Sequence, residues 1–166
     1  LDHINVYLID ADNNVVTFRG GDKLPFSKRA VKHRNVMFDV PLAIGESVRI
    51  YIRVRTEGSL QVPLVLRSPR ALLAKDHEEQ IALGLLYGVM LAMLLYNLLI
   101  FLSIRDISYL YYVGYIAGWI LFQMSVSGFA FEYLWPDSPK WGNMATPFFV
   151  GFALTLAMLF SRTFLE

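Results

Sequence analysis

Cysteine is absent from the 166 residues, which excludes a disulfide-stapled fold and any thiolate-ligated metal site. Enzyme signatures are missing as well, since the sequence contains no Gly-x-Ser-x-Gly elbow, no phosphate-binding loop and no His-Glu-x-x-His pair. A membrane-tethered glycosidase would need two carboxylates facing one cleft, and Asp22 and Asp39 are the only pair of loop carboxylates that suits it. We therefore expect no catalytic residue, no metal and no cofactor here.

Charge is scarce in the second half of the chain. Residues 1–79 hold 12 of the 15 Lys and Arg residues and 10 of the 14 Asp and Glu residues. Three uncharged runs follow, at about 81–104, 107–131 and 141–161. At about 1.5 Å per helical residue, each run is long enough to cross a hydrocarbon core of about 30 Å. The pattern predicts an all-α, multipass membrane region.

The first half has the alternation of apolar and polar residues that is typical of strands. The clearest example is Val48–Arg55, in which valines and isoleucines alternate with arginines and a tyrosine. The predicted strands are 1–9, 15–18, 36–40, 48–55 and 60–66. Strands without intervening helices predict an all-β antiparallel sandwich, here over residues 1–70, joined by a junction at 71–80 to membrane helices from residue 81 to 166.

The stretch Gly21–Arg34, which we call the basic loop, packs five cationic side chains and a histidine into fourteen residues. One interpretation is a binding site for an anionic or hydroxyl-rich ligand, because guanidinium groups bind carboxylates in a bidentate way. The other is a solvated loop in which Arg29 pairs with Asp22 or Asp39. A second basic surface is predicted on one face of the strand 48–55. The candidate ligand-binding residues are Asp22, Lys28, Arg29, His33, Arg34, Arg53 and Arg55.

Two other polar stretches resemble metal sites only superficially. The segment Asp10–Asn14 begins like a calcium-binding loop, but it lacks the glycine and the bidentate glutamate that such a loop requires, so a hairpin turn is favoured. His77–Glu79 precedes the first uncharged run, and a helix-capping or solubilising role is favoured there. Neither stretch predicts a metal site.

Small and polar residues inside the uncharged runs predict helix association. Two Gly-x-x-x-Gly patterns allow close helix packing, and an isolated amide is costly in lipid and is expected to point into the bundle. The candidate helix-packing residues are Gly84, Gly88, Asn97, Gly114, Gly118 and Gln123.

The order of these features resembles a known family. The carrying motifs are Gly-Asp-x-x-Pro-x-x-x-Arg from Gly21, then His33-Arg34-Asn35, then the stretch 57–69, and finally the run Tyr87–Tyr115. Together they resemble the bacterial seven-transmembrane receptors with diverse intracellular signalling modules, specifically those with the second type of extracellular domain. The resemblance implies a periplasmic jelly roll similar to carbohydrate-binding modules, seven helices, and a cytoplasmic diguanylate cyclase or histidine kinase. By this comparison the chain is expected to be truncated at both ends.

These observations predict a signalling receptor in the bacterial inner membrane whose periplasmic domain senses a carbohydrate-like or small anionic ligand. The expected partners are that ligand, membrane lipids and, as one option, a second copy of the chain. The net charge of residues 1–79, 12 − 10 = +2, argues against nucleic acid. The alternative is a transporter or assembly factor whose β-domain docks another protein. Basic residues before the first run favour a cytoplasmic β-domain by simple charge counting, although folded domains translocate largely regardless of charge.

Overall fold

The computed structural model describes residues 2–10, 13–42, 45–56, 60 and 62–165. Three strands come first, β1 (His3–Ile9), β2 (Val15–Gly20) and β3 (Arg49–Arg55). Three helices follow, α1 (Pro69–Ile104), α2 (Ile107–Val126) and α3 (Pro139–Leu165), with a π-helical turn at Ala130–Leu134. The chain divides into two compact units. One contains the strands up to residue 61 together with Met124–Ala145, and the other contains Val62–Gln123 and residues 146–166.

The three strands form one antiparallel sheet in the order β2-β1-β3. Period-two alternation places Ile4, Val6 and Leu8 of the central strand on one face, where all three are buried. The partly buried side chains packed against them are Phe18, Val36, Phe38 and Val40. This small apolar cluster is the core of the β-domain.

An antiparallel β-domain followed by helices is confirmed, and so is the hairpin over residues 1–18. At its turn the Asp10 carboxylate accepts hydrogen bonds from the backbone and side-chain amides of Asn14, at 2.8 and 2.9 Å. Ala11 and Asp12, the middle of the calcium-like stretch, lie outside the described residues. The described part of the chain contains a single sheet, so the second layer of a sandwich stays a prediction for the complete domain.

Two of the five predicted strands are wrong. The segment 36–40 is irregular, yet its alternate side chains still cover the sheet, which explains its strand-like pattern. The described residues of 60–66 are also irregular, and Leu64 and Leu66 are 66% and 76% exposed. Pro63 lacks a backbone donor, and apolar alternation alone does not supply a partner strand. The predicted turn at 57–59 lies outside the described residues.

Helix α1 begins twelve residues before its predicted start, so the expected junction at 71–80 is part of the helix. Ser68 caps its N-terminus by accepting a hydrogen bond from the Ala71 amide at 3.3 Å, and Pro69 occupies a first-turn position, where it needs no partner for a backbone N–H. An ion pair between Lys75 and Glu79 at 3.1 Å supports the charged turns. The hydropathy pattern identified only the apolar part of a continuous helix of 36 residues.

Among the described helices, α1 and α3 are long and apolar enough to cross a membrane, whereas α2 does not meet that criterion. Its tyrosines lower its mean hydropathy, and it ends at Val126 instead of continuing to residue 131. Gly128, with φ +82°, lies in the turn that follows and precedes the π-helical turn. Of the three predicted spans, the second, at 107–131, therefore stays a prediction.

Glycines on α2 allow close packing against α3. A Cβ built on Gly118 would lie 2.9 Å from a ring carbon of Phe152 and 3.3 Å from the Cβ of Ala153, and one built on Gly114 would lie 2.7 Å from Leu156. The corresponding positions at Gly84 and Gly88 of α1 have no neighbour within 4 Å among the described residues. Asn97 is buried, and its side-chain amide donates to the Met93 carbonyl at 2.8 Å within the same helix.

We expect Gly118→Val to destabilise the helical unit by about 1–3 kcal/mol, because overpacking forces neighbouring side chains and backbone to shift. Thermal unfolding of the purified chain in lipid nanodiscs measures the effect. Gly88→Val is the matched control, with the same change in side chain and open space around it. Equal losses of stability in the two variants would contradict the α2–α3 packing described here.

Candidate functional site

The start of the basic loop is fixed by a glycine that no other residue can replace without strain. Gly21 has φ +133°, and a Cβ there would lie 2.2 Å from the carbonyl oxygen of Asp2. Lys23 then pairs with the Asp2 carboxylate at 3.3 Å. A short 3-10 turn at Phe26–Lys28 follows, and it buries the ring of Phe26. These contacts place the rest of the loop at one end of the sheet.

Arg29 organises the second half of the basic loop. One terminal nitrogen of its guanidinium donates to the backbone carbonyls of His33 and Arg34, at 2.7 and 2.8 Å. Burial lowers the pKa of Arg29, while the charges of Asp22 and Glu132 act in the opposite direction. An arginine stays protonated under such opposing influences. The side chain is therefore a fixed, half-buried cation.

Arg29 also contacts the segment between α2 and α3, Ser127–Ser138, which we call the connector. Its guanidinium carbon lies 5.1 Å from the ring centre of Phe26 and 5.2 Å from that of Phe131. The two rings meet nearly edge to face, with centres 6.2 Å apart and planes at 78°. Cation–π contacts of this kind contribute about 0.5–2 kcal/mol, depending on burial. The loop and the connector thus share one aromatic and cationic cluster.

Arg34 makes a second contact of the same type. Its guanidinium carbon lies 5.1 Å from the ring centre of Phe129. A Cβ on Gly128 would lie 3.1 Å from the carbonyl oxygen of Arg34 and 3.3 Å from its Cβ. A glycine is therefore required at Gly128 both for its positive φ and for this close approach.

Hydrogen bonds join the other end of the connector to the loop. The backbone N–H of Phe26 donates to the Pro136 carbonyl at 2.8 Å, and the hydroxyl of Ser27 lies 3.4 Å from a carboxylate oxygen of Asp137. The connector is braced internally, because the amide of Trp135 donates to the carbonyl of Ala130, whose side chain is completely buried. The contact therefore extends along the connector from Gly128 to Asp137.

The predicted ligand-binding residues fall into two groups. Asp22, Arg29, His33 and Arg34 lie in or beside the cluster, where the His33 ring nitrogen Nδ1 accepts from the Asn35 amide at 3.0 Å. Lys28 is exposed on the same loop. The second group, Arg53 and Arg55, is exposed on β3. The ligand-binding role of both groups stays a prediction, but the guanidinium groups of Arg29 and Arg34 already have partners within the chain.

The aromatic half of this site was not predicted from the sequence. Phe129 and Phe131 lie in the uncharged run 107–131 and were therefore assigned to a membrane helix. The available signal was Gly128, which interrupts the run shortly before the charge of Glu132. Within the described residues, no group of three or more His, Asp and Glu side chains could hold a metal ion.

Comparison with known families agrees with the division of the sequence into a β-domain followed by a membrane region. Residues 79–166, more than half of the chain, match the family described as 7TM diverse intracellular signalling. The chain belongs to that family. Residues 1–68 match the domain described as 7TMR-DISM extracellular 2, which confirms the resemblance seen in the sequence. No curated protein and no solved structure matches the chain significantly.

The receptor is therefore a transmembrane protein with an extracellular sensor domain. Both matched families are receptor and sensor domains, not enzymes. The contact between the basic loop and the connector joins residues of the extracellular match to residues of the transmembrane match. This contact is the candidate functional site.

We expect Arg29→Gln to destabilise the sheet-bearing unit by about 1–3 kcal/mol, because charge-assisted hydrogen bonds to two backbone carbonyls are lost. Hydrogen exchange of the receptor in nanodiscs should show faster exchange in both the basic loop and the connector. Lys28→Gln is the matched control, since it removes an exposed charge one residue away. If connector exchange in Arg29→Gln equals that in the control, Arg29 does not stabilise the contact.

Proposed function

We propose that this chain is part of a multipass receptor of the bacterial inner membrane, with its β-domain in the periplasm. The β-domain binds a carbohydrate-like or small anionic ligand, and ligand binding changes the arrangement of the helices. A cytoplasmic output module of the diguanylate cyclase or histidine kinase type would receive the signal. The family assignment supports the receptor class, and the structure supports a route for the signal.

The observation that carries this proposal is the contact of Arg29 and Phe26 with Phe131 and Pro136. The connector is covalently continuous with the end of α2 and the start of α3. A displacement of the basic loop would therefore act on the ends of two helices, whereas the segment 62–68 links the β-domain only to α1. The ligand must bind one arrangement of this contact more tightly than another, since differential affinity is what shifts a conformational equilibrium.

The membrane topology can be tested by labelling single introduced cysteines, because this sequence contains no cysteine of its own. Single cysteines replace Lys32 in the basic loop, Ser138 in the connector and Ser103 near the end of α1. In intact cells, a membrane-impermeant maleimide should label the first two positions and leave the third unlabelled until the membrane is permeabilised. Labelling of the Ser103→Cys variant alone in intact cells would place the β-domain in the cytoplasm and contradict the proposal.

A cross-link tests whether the contact between the basic loop and the connector affects α2 and α3. In the double variant Ser27→Cys/Asp137→Cys, oxidation or a short bis-maleimide joins the basic loop to the connector. We expect slower hydrogen exchange in the connector and also in the last turn of α2 and the first turn of α3, because those turns continue from the connector. The two single-cysteine variants, treated identically, are the controls. Slower exchange confined to the two cross-linked segments would show that the contact does not affect the helices.

A further inference from the structure

A strongly basic surface lies on the sheet face opposite the apolar core. Side chains of a strand alternate between the two faces, so the residues between the core positions share this second face. On β1 it carries Asn5 and Tyr7, each flanked by one residue from β2 and one from β3. Its cationic members are Arg19, Arg49, Arg53 and Arg55, all of them exposed.

These arginines have little compensation within the chain. Arg49 donates a hydrogen bond to the side-chain oxygen of Asn13 at 3.2 Å. Within the described part of the chain, no carboxylate pairs with Arg19, Arg53 or Arg55, and no Asp or Glu belongs to this face of the three strands. Arg53 and Arg55 lie two residues apart on one face of β3, and like charges so placed repel one another. The sheet therefore holds a concentrated positive charge that an anion would relieve.

The register arranges the face in rows. Asn5 lies between Arg19 and Arg53, and the next row on the same face places Tyr7 between Thr17 and Tyr51. Strands are about 4.8 Å apart, so the two arginine backbones of the first row are about 10 Å apart. Arg55 and Arg49 lie in the rows on either side of these two, so the four arginines are spread over the face, and a ligand with several carboxylates can pair with more of them than a single carboxylate can.

We infer that this face binds an oligomer of uronic acid, an acidic sugar chain that carries one carboxylate on each ring. The carboxylates pair with Arg19 and Arg53 in the bidentate geometry that guanidinium groups favour, and Asn5 supplies a donor and an acceptor between them. Tyr7 and Tyr51, paired in the next row, place aromatic side chains on the same face, where the apolar face of a sugar ring can pack against them. The inference specifies the ligand in the proposed function and rests on the β-domain being the ligand-binding part.

Isothermal titration of the receptor in nanodiscs with trigalacturonate, at low ionic strength, tests the inference. The fully methyl-esterified trimer is the matched ligand, with the same rings and no charge. We expect the acid to bind and the ester to bind at least tenfold more weakly. Arg19→Gln and Arg53→Gln should each weaken binding of the acid about tenfold or more, because each removes charge-assisted hydrogen bonds. Lys32→Gln in the basic loop should leave binding unchanged.

Absence of trigalacturonate binding, equal binding of acid and ester, or unchanged binding in both arginine variants would each overturn the inference. Both variants should remain about as stable as the unmodified receptor, since Arg19 and Arg53 are exposed and substitutions at such surface positions usually change stability little. Thermal unfolding checks this, so a loss of binding is not mistaken for misfolding. If trigalacturonate binds without altering hydrogen exchange in the connector, the ligand assignment stands and the proposed signalling route is wrong. If the cross-link affects the helices but trigalacturonate does not bind, the signalling route stands and the ligand assignment is wrong.

Discussion

The contact between the basic loop and the connector depends on one half-buried guanidinium group. Arg29 closes the basic loop on itself through two carbonyls and, on its other side, contacts rings from both the loop and the connector. A cation that is partly removed from water is stabilised by specific neighbours, so its position is more restricted than that of an exposed lysine. The basic loop can hold many charges close together, since part of that charge faces aromatic rings and backbone carbonyls instead of solvent.

Two joints connect the sensor to its helices, and they differ in kind. The covalent joint enters α1 at a capped helix start, with Ser68 at the cap and Pro69 in the first turn. The second joint is non-covalent and consists of a few cation–π contacts and hydrogen bonds to the connector. Individual contacts of this sort contribute only about 1 kcal/mol, which is the range in which a bound ligand can change their population. A receptor needs a joint that is specific and still reversible.

The sequence alone was sufficient to predict the class of the protein and the secondary-structure elements with the clearest patterns. Strand β3 and the apolar part of α1 were predicted because their periodicity and length leave few alternatives. The true start of α1 was not predicted, since charged residues in a solvated helical turn have the same composition as a linker. The aromatic partners of Arg29 could not be predicted either. A contact between residues about one hundred positions apart leaves no local pattern, and a phenylalanine in an apolar run has the same signature whether it faces lipid or a cation.

A double-mutant cycle between Arg29 and Phe131 tests the central contact most directly. Unfolding free energies of the receptor, of Arg29→Gln, of Phe131→Leu and of the double variant give the coupling between the two side chains, free of their separate effects. The structure predicts that the two losses are non-additive by about 0.5–2 kcal/mol, the range of a cation–π pair. Strict additivity would mean that the two side chains do not interact, and the proposed route from sensor to helices would then lack its principal contact.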